Sequence, residues 1–172
     1  MKTARLSAEQ AARWLPELTS LLQNAVASGA SVGFLPPLAE GEATAYWQEV
    51  ITALRSPYRI LLIAEADGAL AGSVQLDLAS RPNGSHRAEV MKLMVHTRYR
   101  LQGIGRTLML AVEDEARKAN RSTLVLDTRQ GDPSEKLYVR LGYQRSGVIP
   151  EYARSADGTL HTTIFFYKLL HS

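Results

Sequence analysis

The stretch Arg100-Leu-Gln102-Gly103-Ile104-Gly105-Arg106-Thr107 holds the residue types best suited to chemistry. Two glycines one residue apart let a backbone turn its N–H groups inward and come close to an anion. The residues that follow, Ile104, Leu108, Ala111, Val112 and Ala116, keep helical spacing. The first N–H groups of such a helix have no intrahelical partner, and its dipole favours negative charge. Arg98, Arg100 and Arg106 surround this nest, and a pyrophosphate is its natural ligand. A dinucleotide-binding fingerprint fits poorly. Its third glycine would fall on Leu108, and seven residues separate Val95 from Gly103, whereas that fingerprint opens directly after its strand. No Gly-Lys-Ser/Thr follows, which excludes a P-loop. The competing explanation is a glycine-softened helix cap with solvated arginines.

Charge points the same way. The chain has 172 residues, with 20 Lys plus Arg against 17 Asp plus Glu. Between Lys92 and Val112 lie four bases and no acid, so elsewhere 16 bases face 17 acids. A sequence pI of about 9.3 therefore reflects one local cluster. Such a cluster suits a small polyanion better than a nucleic-acid backbone, and few aromatics are interleaved with it.

The elements that must position this loop can be read from periodicity. A short strand at Thr3–Leu6 precedes a helix capped by Ser7 with Gln10 three residues on. That helix runs toward Gly29, with Pro16 as a candidate break. A loop from Ser31 to Pro37 leads to a second helix near Glu42–Leu54. Tyr58–Glu65 is a compact apolar run, and Asp67-Gly68 signals a hairpin. Alternation then places Leu70, Val74, Leu76 and Leu78 on one face and Ser73, Gln75 and Asp77 on the other. After a turn at Arg81–Gly84 come a strand at Ala88–Val95, the glycine loop and its helix, and a strand at Thr123–Thr128. A short helix at Pro133–Leu141 and strands at Gly142–Ile149 and Thr162–Leu170, joined across Asp157-Gly158, complete the chain. The fold class is α/β, a mixed sheet with helices on its faces. No repeat or linker divides the chain, so one domain over residues 1–172 is expected.

Composition narrows the classes further. Hydrophobic residues make up 45% and charged residues 22%, an ordinary globular mix. No apolar run reaches membrane-spanning length, and the first ten residues lack an apolar signal core, so a soluble cytoplasmic protein is expected, with no membrane partner. With no cysteine, disulfides, thiolate metal sites and cysteine nucleophiles are excluded. His86, His96, His161 and His171 lack metal-ligand spacing, and no metal is expected.

The order Arg-x-x-Gly-x-Gly after a strand, then helix, strand and Leu137-Tyr138-Val139-Arg140-Leu141-Gly142-Tyr143, resembles the GNAT (GCN5-related) N-acetyltransferase family from about Tyr58 to Leu170. Gly29-Ala-Ser-Val-Gly33-Phe34, Arg81–Gly84, Arg87-Ala-Glu89-Val90 and Leu126-Asp127-Thr128 are similar to the tabtoxin-resistance type of acetyltransferase. The resemblance implies an acyl-CoA N-acyltransferase fold, a twisted, mostly antiparallel sheet with helices on both faces. It implies acetyl-CoA as co-substrate, its pyrophosphate held by N–H groups of Gln102, Gly103, Ile104, Gly105 and Arg106, with help from Thr107 and Arg100. The backbone of Leu93, Met94 and Val95 would pair with the pantetheine arm where the sheet splays. Their side chains would still belong to the core.

Tyr138 matches the tyrosine the family often uses as general acid. A phenol, pKa about 10, can protonate a leaving thiolate, whose own pKa is about 8.5 if it resembles a free thiol. The alternative is a Tyr that only packs its helix. Glu89 and Asp127 lie on the strands expected to flank the splay. A carboxylate there can hold an ammonium or take its proton through water. The alternative is a salt bridge, for example with Arg87 or Arg129. Where the family often has an Asn after the strand of Asp127, this chain has Arg129-Gln-Gly-Asp-Pro-Ser134, and Ser134 is the candidate substitute for a pantetheine contact. The expected activity is acetyl transfer to an amine of a small, amino-acid-like acceptor by direct attack in a ternary complex, with a role in toxin resistance. A non-catalytic acyl-CoA-binding module and a peptide or protein N-acetyltransferase are the alternatives, and pairing into a homodimer stays open.

Overall fold

Ser7 and Gln10 cap each other: the Gln10 N–H donates to Ser7 Oγ at 3.2 Å and the Ser7 N–H to Gln10 Oε1 at 2.8 Å. Helix α1 (Ala8–Arg13) breaks at Trp14 and restarts as α2 (Leu15–Ala27), with Pro16 in its first turn, where a missing N–H costs nothing. The chain preceding α1 forms strand β1 (Lys2–Arg5), one residue earlier than expected. Leu6 still donates its N–H to Leu61 O at 3.0 Å. Helix α3 (Glu40–Ala53) follows a loop.

The computed structural model describes residues 1–171, and their strands form one seven-stranded sheet. The strands are β1, β2 (Arg59–Ala66), β3 (Ala69–Leu78), β4 (Arg87–Val95), β5 (Thr123–Arg129), β6 (Gln144–Arg154) and β7 (Leu160–Leu169), in the spatial order β1-β2-β3-β4-β5-β7-β6. Helix α4 (Ile104–Lys118) connects β4 to β5, whose pairing is parallel, and α5 (Pro133–Arg140) connects β5 to β6. All other neighbours are antiparallel. Asp67 and Gly68 both take positive φ at the β2–β3 turn, as a tight hairpin requires.

Apolar residues fill both sides of the sheet. One core packs Leu108, Met109 and Val112 of α4 and Tyr138 of α5 against Val74, Leu76, Leu124 and Phe166. The other packs Leu18, Leu22 and Trp47 of α2 and α3 against Leu61, Ile63 and Met94. Burying each such side chain contributes about 1.5–3 kcal/mol. Two covered faces explain why Ser73 and Gln75, on the polar side of the β3 alternation, are fully buried. Leu70 does not share the face of Val74, Leu76 and Leu78. Ala64 pairs with Gly72 and Glu65 with Leu70, so Ala71 is bulged out and Leu70 turns into the opposite core.

Strand β6 runs to Arg154, past the expected end at Ile149, because pairing with β7 resumes at Ala153 after an irregularity. Within it Pro150 lacks an N–H and Glu151 has φ 53, which is tolerable because β6 is an edge strand. Among the described residues no helix is long and apolar enough to cross a membrane.

Candidate active site

The parallel β4–β5 ladder is three residues long: Arg87 opposite Thr123, Ala88 opposite Leu124 and Glu89 opposite Val125. Beyond Glu89, β4 stays with β3, while β5 follows β7 with Asp127 opposite Phe165 and Arg129 opposite Thr163. The sheet therefore splays, and among the described residues the β5-facing backbone edge from Val90 to Val95 has no strand partner. A bulge lies just there. Met91 pairs with Gln75 and Met94 with Ser73, so Lys92 and Leu93 together oppose Val74, and Lys92 takes φ 55. The bulge flips the alternation. Val90 points into the α4 core, whereas Met94 points into the α2–α3 core. Leu93 and Val95 pack partly against the α4 side, so their side chains serve the core while one edge of the strand is left by β5.

After β4 the chain makes a tight turn over Thr97–Tyr99, and Leu101 and Gly103 take φ 62 and φ 80. Gly103 is the N-cap of α4; no side chain caps the helix, and no acid lies in its first turn. Thr107 is the first residue whose N–H is taken within the helix, by Gly103 O at 3.0 Å, and its Oγ1 donates to the same carbonyl at 3.2 Å. The preceding N–H groups, from Gln102 to Arg106, are those left for an anion. The two glycines do different work. A Cβ on Gly103 would meet open space, so its need is the positive φ; a Cβ on Gly105 would sit 3.3 Å from Leu137 Cδ2 and 3.8 Å from Val95 Cγ2. Gly105 thus lets α4 approach α5 and the end of β4. Gln102 reaches back to Arg98 O at 3.4 Å. Arg100 is committed elsewhere: Nε donates to Val95 O at 3.3 Å and Nη2 to Ser28 Oγ at 2.7 Å. Arg98 lies over the Tyr99 ring at 5.6 Å, and Arg106 is exposed.

Tyr138 is 6% exposed, its ring 5.8 Å from Phe166 and 5.9 Å from Tyr143. Burial pushes its phenol well above the ordinary tyrosine value, and the charges of Asp127 and Asp132 push in the same direction. The phenol is therefore neutral at physiological pH and holds its proton more tightly than a free tyrosine. The Ser134 hydroxyl lies 2.7 Å from Thr128 Oγ1, tying the start of α5 to the end of β5.

Glu89 and Asp127 lie on the opposite face of the sheet from Tyr138, since their neighbours Ala88, Val90, Leu124 and Leu126 point to the α4 core. Loss of water raises both carboxyls above their ordinary values; Glu89 is raised further by Asp127 and Asp77. Among the described residues neither makes an ion pair. Arg129, one candidate partner, binds Asp132 at 2.9 Å instead. The face continues outward in Phe165, which packs edge-on against Tyr152 at 5.5 Å. Arg154 donates to Gly158 O at 3.0 Å.

Lys92, one base of the basic window, lies beside these carboxylates. Its Nζ donates to Val32 O at 2.6 Å. Desolvation lowers its pKa, and Asp127 and then Glu89 oppose that shift. The available signal was a lone Lys inside Val90-Met91-Lys92-Leu93-Met94-Val95, an otherwise apolar run. Next to it, Gln75 joins Arg59 Nη1 (2.9 Å) to the Tyr46 hydroxyl (2.9 Å), and Tyr46 meets the Phe34 ring edge-on at 5.3 Å.

The sheet thus opens beside a bare helix N-terminus, with a buried phenol in the core on one face and two carboxylates on the other. The profile of the acetyltransferase (GNAT) family matches residues 23–143. An uncharacterised N-acetyltransferase from the hisH-hisA intergenic region of Azospirillum brasilense is 35% identical over 118 residues, covering 67% of this chain and 68% of that protein. The ribosomal-protein-alanine N-acetyltransferase of Brucella melitensis superposes with TM-score 0.80 at 22% identity, over 99% of this chain and all of that one. A Salmonella typhimurium protein, yncA, described as an acetyltransferase and solved with acetyl-CoA, gives TM-score 0.79 at 20% identity, covering 100% of this chain and 95% of the other. The chain belongs to the acetyltransferase (GNAT) family. It is an acetyl-CoA-dependent N-acetyltransferase, with the mixed sheet of the acyl-CoA N-acyltransferase fold.

Proposed function

We propose that this enzyme acetylates the amine of a small, amino-acid-like acceptor by direct attack, as a cytoplasmic detoxification step. The observation that carries the reading is the β4–β5 splay, which stops pairing at Glu89 and leaves a passage between a donor side and an acceptor side. On the donor side, the N–H groups from Gln102 to Arg106 take the pyrophosphate of acetyl-CoA. The unpaired edge at Leu93, Met94 and Val95 takes the pantetheine arm and the thioester carbonyl, and Ser134 adds a hydroxyl near the arm. Arg100 holds the end of β4 through Val95 O and Ser28, which leaves its Nη1 to reach toward the phosphates.

On the acceptor side, Glu89 and Asp127 suit an ammonium group better than a neutral sugar or a carboxylate. One of them, directly or through water, removes the first proton. The amine lone pair forms the C–N bond at the thioester carbon. Collapse of the tetrahedral adduct breaks C–S, and the electron pair leaves on sulfur. Tyr138 gives its proton to that thiolate and recovers one from the nitrogen by way of solvent. The sum converts an ammonium and acetyl-CoA to an acetamide, CoA thiol and one released proton.

A thiol-reactive dye tests this cleanly, because a protein without cysteine adds no background to the CoA thiol signal. With amino acids and amino-acid-like toxins as acceptors, initial-rate lines should intersect. Parallel lines would demand an acetyl-enzyme and sink direct attack. Tight acetyl-CoA binding with no thiol released on addition of any amine of the panel would overturn the amino-acid-like acceptor.

A further inference from the structure

Three basic residues grip the chain just after α2. Arg100 Nη2 donates to Ser28 Oγ at 2.7 Å, Arg129 Nη2 to Gly29 O at 2.9 Å and Lys92 Nζ to Val32 O at 2.6 Å. The anchors sit on both arms of the splay: Lys92 at the β4 bulge and Arg129 at the end of β5. The segment between them, Gly29-Ala-Ser-Val32, therefore spans the opening on the face that carries Glu89 and Asp127. The next residue completes the fit. Gly33 has φ 92, and a Cβ there would lie 3.0 Å from Lys92 Nζ, so the lysine occupies the space of a missing side chain. On either side of it, Val32 and Leu38 are buried in the α2–α3 core and Phe34 packs on Tyr46. The segment itself carries no charge. The charged groups around the Lys92 ammonium are Asp127 from β5, Glu89 from β4 and Arg59 from β2, the last paired with Asp77 of β3 at 3.4 Å.

We propose that Gly29–Val32 is a strap fastened across the acceptor mouth by Lys92 and Arg129, and that Lys92 is a positioning residue, fixing the strap while its charge steadies the two carboxylates that receive the amine. One N–H of the ammonium is spent on Val32. Its charge offsets one of two like charges, so the pair presents about one net negative charge, matched to a monocationic amine. A neutral side chain at position 92 would leave two carboxylates repelling one another, and one would then hold its proton more tightly. This inference rests on the acceptor assignment above, but its test needs no acceptor.

The test uses the full chain, free and with acetyl-CoA. Amide exchange is followed over residues 29–34, and the Glu89 and Asp127 carboxyls are titrated by carbon NMR. K92M should speed exchange of the strap at least about tenfold. It should also raise the titration midpoint of Asp127 or Glu89 by about one unit, the size expected on losing a nearby opposite charge. Acetyl-CoA affinity by calorimetry should stay within about twofold, since the donor side keeps its backbone. K92R, which preserves the charge, should return the midpoints toward wild type, a rescue that mere loss of packing would not give. R129M should loosen the Gly29 end while leaving the midpoints in place, because Arg129 is committed to Asp132. Unchanged strap exchange in both K92M and R129M would overturn the strap. Unmoved midpoints in K92M would overturn the role of Lys92. Failure of the acceptor assignment would appear differently, as midpoints that respond to K92M in an enzyme whose E89Q and D127N forms turn over normally.

Discussion

The donor and acceptor sides of the splay are built from different materials. The proposed donor side is backbone: N–H groups at the start of α4 and the edge of β4 that β5 leaves, with glycines that open the approach. The proposed acceptor side is side chain: Glu89 and Lys92 from β4, Asp127 from β5, Tyr152 and Phe165 from the last hairpin, with the proposed strap from far earlier in the chain above them. Backbone recognition survives most substitutions around it, whereas side-chain recognition is rewritten by single changes. Acetyl-CoA, the donor, suits the first, and an acceptor that must be told apart from other amines suits the second.

Breaking the passage between the two sides should cost most. Tyr138→Phe keeps the buried ring and removes the proton donor, and general acid catalysis typically contributes about 10²–10⁴ in rate. Turnover should fall by that order while acetyl-CoA affinity and Tm hold. Full activity would return Tyr138 to packing alone.

E89Q and D127N probe the acceptor side by itself. Acceptor kcat/KM should fall about ten- to a hundredfold, a share of the general-base effect, with acetyl-CoA binding unchanged. The pH profile sharpens this. Loss of water raises both carboxyls, so the reactive ionised form is lost as pH falls through a value above the ordinary carboxylate range. The acid limb of kcat/KM should lie there. Stability carries the opposite sign: ionising a carboxyl whose folded value is raised costs folding energy above that value, and the cost disappears below the unfolded one. E89Q and D127N should therefore leave Tm at pH 7 unchanged or higher. A marked drop in Tm would make these residues structural.

On the donor side the two glycines should separate. Overpacking typically costs about 1–3 kcal/mol, so G105L, pressing on Leu137 and Val95, should weaken acetyl-CoA binding about tenfold or more and lower Tm. G103A meets no atoms and carries only the strain of positive φ, about 1–2 kcal/mol. Its acetyl-CoA affinity should fall less than that of G105L, and equal losses would mean that both positions act through one contact. S134A should show the smallest effect, about 0.5–1.5 kcal/mol for one hydrogen bond, with at most a few-fold rise in KM for acetyl-CoA.

The same contrast explains what could be read from the chain. The glycine loop, its helix and the strand before it are contiguous, so periodicity and turn chemistry located them to within a residue or two. Glu89, Asp127 and Tyr138 came from a resemblance to the family, and nothing local distinguishes a carboxylate at an open strand edge from one in a salt bridge. The strap was out of reach because its anchors join residues 60, 72 and 100 positions apart. Two bulges were equally hidden. Each inserts one residue, at Ala71 and at Lys92, and each reverses the facing of everything beyond it, a change that alternation counting cannot detect.

The far edge of the sheet has a consequence of its own. An eleven-residue outer strand would normally offer a template on which other chains could zip up and aggregate. Pro150 removes a donor near its middle, and Glu151, with φ 53, turns the backbone out of line. The edge is thereby cut into two short lengths, Gln144–Ile149 and Tyr152–Arg154, and Val148, Ile149 and Tyr152 can stay exposed without seeding an open-ended stack.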